Sequence, residues 1–218
     1  MIAAAIFDMD GLLIDSEPLW QDAELEVLGG LGLPITRADA IATMGLRVDE
    51  ITRQWYARQP WDGPSPEAVA EQILQVVIDR VRREGVPQPG VHAAIDLARA
   101  MGVKVALATS SAEPLIDAVV DRLDLRGRFA VTVSAQHEKY GKPHPAVYLR
   151  TADLLGVEPI TCLAVEDSLN GVLAAKAARM KCVAVPAPDM RHDPRFTIAD
   201  RTLSSLTELD RELWQALQ

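Results

Sequence analysis

A short apolar run, residues 2–7, ends abruptly in Asp8-Met9-Asp10-Gly11. An apolar segment of this length, bounded by a glycine turn, predicts a buried parallel strand. Such a strand needs helices on both of its faces, which commits the chain to an α/β architecture. At a period of two, and about 3.3 Å per residue, the carboxylates of Asp8 and Asp10 leave the same face if the strand conformation persists. Two carboxylates that close repel unless a cation lies between them, so the pair predicts a Mg²⁺ site. Gly11 permits the sharp turn that brings backbone close to a ligand.

Beyond residue 90 the chain alternates between strand-like and helix-like segments. Strands are expected at Val103–Ala108, Phe129–Ser134, Leu163–Val165 and Cys182–Val185. Helices are expected at Pro114–Leu123, at Pro145–Leu155 and around Gly171–Met180. Strands separated by single helices imply a parallel sheet with right-handed crossovers. Between residues 17 and 88 only helix signals occur. Trp20, Ala23, Val27, Leu28 and Leu31 fall at helical spacing, and a second amphipathic segment spans Val48–Arg58. A third starts with Ser65 as N-cap, Pro66 at the first helical position and Glu67 in the first turn. Its apolar stripe is Val69, Ile73, Val77 and Val81, with Gly85 as its stop. The expected organisation is a Rossmann-like core made of residues 1–15 and 89–218, with a helical cap over 16–88. Asp15–Glu17 and Gly85–Pro89 are the two links.

A formal net charge of −9 argues against nucleic-acid or anionic-membrane partners, which need a basic surface. It leaves room for a phosphorylated substrate held in a local cationic pocket. Cys162 and Cys182 lie inside apolar runs and read as buried small hydrophobes. The opening run is too short for a signal peptide and no stretch is long enough to span a bilayer, so a cytoplasmic protein is expected, and since nothing suggests a large sticky face, a monomer.

Four polar groups each follow a separate strand. They are Asp8 with Asp10, then Thr109-Ser110-Ser111, then Lys142, then Glu166-Asp167. Ligands bind at the carboxyl ends of strands in open α/β sheets, so these distant segments are expected to meet at one edge. Acids, hydroxyls and a lysine together suit a phosphate plus Mg²⁺.

The same set resembles the haloacid dehalogenase superfamily. Asp8-Met9-Asp10-Gly11 matches its Asp-x-Asp-Gly motif, and Val105-Ala-Leu-Ala-Thr109 its apolar run ending in Thr or Ser. Lys142-Pro143 matches the lysine before proline, and Glu166-Asp167 the acidic pair closing a strand. The helical insert resembles the family's small cap. Within the superfamily the chain is similar to bacterial sugar phosphatases of the hexitol phosphatase type.

That resemblance implies a Mg²⁺-dependent phosphatase acting on hexitol or hexose 6-phosphates, 2-deoxyglucose 6-phosphate among them. It implies that Asp8 is the nucleophile and Asp10 the acid and base. Asp8, Asp167 and the backbone carbonyl of Asp10 would hold the metal, with Glu166 close by or acting through water. Thr109, Ser110 and Lys142 would grip the phosphate, and the cap would close over the substrate. Glu17, Trp20 and Arg47 are the candidate substrate contacts from the cap; for Arg47 an ordinary surface position is an equal reading. Lys139 is the competitor of Lys142 and is expected to be solvated. Asp15 is expected to anchor the link into the cap, and Trp55 and Trp61 to fill the cap's core.

A sugar phosphomutase of the β-phosphoglucomutase type is the main alternative. Against it, residues 16–88 contain no lysine, and Trp20 stands where the mutase places a histidine. A non-catalytic phosphate-binding protein is the remaining one, with a metal-free dehalogenase less favoured because Asp10 would have no task.

Overall fold

The computed structural model describes residues 1–218. Strand β1 (Ala4–Phe7) is followed by four helices, α1 (Glu17–Gly30), α2 (Arg37–Ala42), α3 (Val48–Arg58) and α4 (Pro66–Glu84). Alternation then sets in with α5 (Val91–Ala100), β2 (Lys104–Thr109), α6 (Glu113–Arg122), β3 (Val131–Ser134) and α7 (Ala146–Leu155). The chain ends with β4 (Cys162–Glu166), α8 (Leu169–Ala177), β5 (Lys181–Ala184), β6 (Arg201–Thr202) and α9 (Arg211–Ala216). The six strands form one parallel sheet in the order β3-β2-β1-β4-β5-β6. This is the Rossmann-like α/β core that the alternation predicts, with β1 at its centre.

Register sets where the chemistry lies. Phe7 pairs with Leu107 on one side and Val165 on the other, so β1, β2 and β4 run out of apolar residues at nearly the same level. Asp8, Thr109 and Glu166 therefore arrive together at the carboxyl edge. Alternate residues of each strand feed two separate cores. Ala5, Phe7, Leu107 and Val165 belong to one, Ala4, Ile6, Ala108 and Ala164 to the other. The first core continues without a break into the inserted helices, through Val69, Ile73 and Val77 of α4 and Leu115 and Val119 of α6. Trp55 and Trp61 are buried in it.

The Ser65 hydroxyl accepts the Ala68 N–H, as its N-cap position predicts, and Gly85 follows the last turn of α4. The two links lie side by side: Asp15 N–H donates to Val86 O, and Gln88 N–H donates to Leu13 O, both at 3.0 Å. Asp15 also accepts from the Gln88 side chain at 3.5 Å. Cys162 and Cys182 are buried free thiols. No helix is long and apolar enough to cross a membrane.

Candidate active site

At the centre of the edge, Lys142 is 1 % exposed and its ammonium donates to three oxygens. These are Asp8 Oδ1 at 2.7 Å, Glu166 Oε1 at 2.5 Å and the Ala108 carbonyl at 3.3 Å. Burial works against its charge, but the attraction of Asp8 and Glu166 outweighs it and raises its pKa above the ordinary lysine value. Lys139, by contrast, is exposed and lies over the Tyr140 ring.

Glu166 is fully buried and saturated. Oε1 also accepts the Tyr148 hydroxyl at 2.6 Å, and Oε2 faces the N–H groups of Asp167 and Ser168 and the Ser168 hydroxyl. A Cβ at position 171 would lie 1.9 Å from this carboxylate, so only glycine lets α8 start so close to it. Glu166 thus holds Lys142 and the loop after β4. Removing one partner from such a buried pair typically destabilises by about 3–5 kcal/mol.

Asp8, Glu166 and Asp167 present carboxylate oxygens within 4.8 Å of one another. Burial, reinforced by Glu166, lifts the Asp8 carboxyl to about 7, with Lys142 opposing. Burial followed by the charges of Asp8 and Glu166 raises Asp167 well above the carboxylate range. Three carboxylates against one ammonium leave two excess negative charges when all are ionised. Asp167 Oδ1 is buried with no hydrogen-bond partner. An all-oxygen donor set, excess negative charge and an orphaned carboxylate oxygen together fit a hard divalent cation. Gly11 adopts φ +72°, and a Cβ there would meet Asp167 Oδ2 at 2.1 Å.

Asp10 departs from the expectation that its side chain joins Asp8 at the cation. Strand pairing stops at Phe7, so the alternation that would align the two carboxylates does not continue, and the Asp10 carboxylate lies outside the acidic group. Its Oδ1 accepts from Ser16 Oγ at 2.7 Å and from the Trp20 indole N–H at 2.8 Å. Its Oδ2 accepts from Ser111 Oγ at 2.6 Å, with Thr109 Oγ1 at 3.5 Å. Ser16 is the N-cap residue of α1 but makes no side-chain cap bond. A cap of that kind contributes about 1 kcal/mol, which is forgone so that the hydroxyl can hold Asp10.

Asp8, Asp10, Glu17, Trp20, Thr109, Ser110, Lys142 and Asp167 all border one cavity of about 50 Å³. Ser110 donates to Gly45 O at 2.8 Å, and Asn170 to Met44 O at 2.8 Å, so the turn before α3 is pinned to the sheet edge. Burial, followed by the charge of Asp10, pushes the Glu17 carboxyl up to about 8.

Arg47 corrects both expectations made for it. It is buried and does not border the cavity. Its guanidinium donates to the carbonyls of Ala135 at 3.0 Å and Glu138 at 2.6 Å, and grips Asp49 in bidentate fashion. Together with Glu50, which accepts the Gly141 N–H at 3.0 Å, it ties α3 to the loop that carries Lys142.

Sequence reading placed Ser111 with Thr109 and Ser110 at the edge but missed Ser16, Tyr148, Gln21 and Glu24 as parts of the site. The last two line the cavity from α1. One signal was present: α1 holds four acids and no base in fourteen residues, with Glu17, Gln21 and Glu24 at helical spacing around Trp20.

Comparison with known proteins gives the arrangement a family. A family model described as haloacid dehalogenase-like hydrolase matches residues 2–179. The chain is 51 % identical to hexitol phosphatase B of Escherichia coli K12 over 209 residues, 95 % of this chain and 94 % of that protein. Among solved structures, CbbY from Rhodobacter sphaeroides in complex with phosphate aligns with a TM-score of 0.85 at 29 % identity, over 96 % of each chain. A β-phosphoglucomutase from Clostridium difficile aligns with a TM-score of 0.87 at 22 % identity, over 99 % of this chain and 96 % of that one, a likeness of fold. Both the matched length and the identity place this chain within one family: it belongs to the haloacid dehalogenase-like hydrolases.

Proposed function

We propose that the chain is a Mg²⁺-dependent phosphomonoesterase that releases phosphate from hexitol or hexose 6-phosphates, including 2-deoxyglucose 6-phosphate. The observation that carries this reading is the buried group of Asp8, Glu166 and Asp167 around a single ammonium, Lys142, at the floor of the cavity. The 51 % identity to hexitol phosphatase B supports the substrate class.

Asp8 attacks phosphorus, forming an Oδ–P bond as the P–O bond to the sugar breaks. Asp10 gives its proton to the departing sugar oxygen, then takes one from the water that cleaves the aspartyl phosphate and restores Asp8. Thr109, Ser110 and backbone N–H groups after Asp8 bind the transferring oxygens, and Lys142 holds Asp8 in place. Asp8, Asp167 and the Asp10 carbonyl would hold Mg²⁺, with Glu166 acting through Lys142. When bound, the cation supplies positive charge between phosphate and nucleophile. Two unit charges at 4 Å interact by about 4 kcal/mol at an effective dielectric of 20, and a dianion facing Asp8 meets roughly twice that repulsion. One ammonium is insufficient to offset it while also balancing Glu166.

A cavity of about 50 Å³ holds a few waters and no sugar, so residues 16–88 must open as a cap to admit substrate and close to exclude solvent. Lys142 is the only cation bordering the cavity, which leaves no grip for the second phosphate a mutase needs.

The test is phosphate release from a hexitol 6-phosphate and from p-nitrophenyl phosphate, with Mg²⁺ and with EDTA, for the wild type and Asp8→Asn. Turnover with Mg²⁺ alone, lost by on the order of 10⁴-fold or more in Asp8→Asn, is expected. Retained activity in a clean Asp8→Asn preparation removes the nucleophile assignment, and isomer formation without phosphate release favours the mutase.

A further inference from the structure

One buried acid has no part in this chemistry. Glu24 lies on the face of α1 that also carries Glu17, Trp20 and Gln21, at spacings of three, four and seven residues. It sits two turns from Glu17, about 10.5 Å along the helix axis, and borders the same cavity. The residue is 4 % exposed, and its Oε2 is buried with no hydrogen-bond partner. No arginine or lysine borders the cavity near it.

From this geometry we infer that Glu24 is a specificity-determining residue that binds hydroxyl groups of the leaving sugar remote from the phosphate. The inference rests on the phosphatase reading above and narrows its substrate class to esters of neutral, polyhydroxylated alcohols long enough to reach from the sheet edge to α1 when the cap has opened to admit them. An orphaned carboxylate oxygen is costly in the free protein, and a ligand that donates to it removes that penalty on binding. Burial lifts the Glu24 carboxyl to about 8, so near neutral pH it is often protonated. A sugar hydroxyl, which donates and accepts, serves both states; an ammonium serves only the ionised one, and a second phosphate is repelled by it. Gln21, on the adjoining turn, adds its amide N–H groups as donors for hydroxyls, while its amide oxygen accepts from Arg37 at 3.0 Å.

The experiment compares wild type, Glu24→Gln and Glu24→Leu by kcat/KM on a hexitol 6-phosphate and on glycerol 3-phosphate, whose carbon chain is half as long. Thermal midpoints of the free proteins are measured alongside. The hexitol-to-glycerol selectivity ratio is expected to fall roughly ten- to hundredfold in Glu24→Leu, carried mainly by KM, and less in Glu24→Gln. Both variants should melt at or above the wild-type midpoint, since a buried unpaired acid has been removed. An unchanged ratio overturns the inference. So does an equal loss on both esters with a lowered midpoint, which marks a structural residue. A wild type that hydrolyses neither ester overturns the phosphatase reading itself; one that hydrolyses both, with a ratio untouched by substitution, overturns this inference alone.

Discussion

Two residues that border the same cavity each keep a buried carboxylate oxygen without a hydrogen-bond partner, Asp167 Oδ1 at the sheet edge and Glu24 Oε2 on α1. Their surroundings make them ask for different partners. Asp167 stands among other carboxylates, in a frame where Lys142 and Glu166 have every bond in place. Only a compact positive charge completes that side. Glu24 stands apart from the acidic group, in a cavity that no arginine borders, where a neutral donor suffices. The sheet edge is therefore preorganised for one reaction, whereas the helical side is finished by whichever alcohol it receives.

The sharpest way to break this contrast is at Asp167. Asp167→Asn, or chelation of divalent cations in the wild type, should abolish phosphate release, whereas Glu24→Gln should leave hydrolysis measurable. An Asp167→Asn protein that turns over normally would show that the orphaned oxygen holds no ion. Next in size, Asp10→Ala should lower kcat by roughly 10²–10⁴ with KM little changed, because proton transfer is lost while the nucleophile stays. Unaltered turnover contradicts the acid and base role.

A stability effect follows. Glu24 has an ordinary value of 4.5 and is raised to about 8, so the native state keeps a proton that the unfolded chain releases. Its contribution is fully present below about pH 4.5 and is lost as pH rises through 8, by up to a few kcal/mol. Urea unfolding with EDTA at pH 5 and pH 8 should show this decline, and Glu24→Leu should reduce it by the Glu24 share, the rest belonging to Glu17, Asp8 and Asp167, whose carboxyls are raised as well. Mg²⁺ should raise stability most at the alkaline end, where the sheet-edge acids are ionised, and should leave the Glu24 share untouched. The smallest effect belongs to Trp20→Phe, which removes one N–H donor from Asp10 and should lower kcat roughly tenfold. A loss confined to KM would instead make Trp20 a substrate contact.

Much of this was legible in the chain. Short apolar runs ending in Asp8, Thr109 and Glu166-Asp167 are local signals, and parallel pairing brings their ends to one edge. Ser65-Pro66-Glu67 and the stripe from Val69 to Val81 gave α4 because capping and helical period act within a few residues. Other elements carried weak signals. β6 is two exposed residues held by pairing with β5, and α2 is six residues opened by a Thr36–Asp39 capping box that uses Asp where Glu is usual. Arg47 resisted reading because its partners are carbonyls about ninety residues away, and a carbonyl leaves no mark on sequence.

Sequence alone determined the alternation from β2 to β5 and the helical stretch after β1, and that acids, hydroxyls and a lysine would gather where the strands stop, because hydrophobic period and chain turns are short-range. Only the tertiary structure decided how those groups divide their work. It turned Asp10 away from the acidic group towards Ser16, Trp20 and Ser111, closed Lys142 between Asp8 and Glu166, and buried Glu24 without a partner. Burial and the direction of each side chain depend on residues distant along the chain, and these fix what a carboxylate can do.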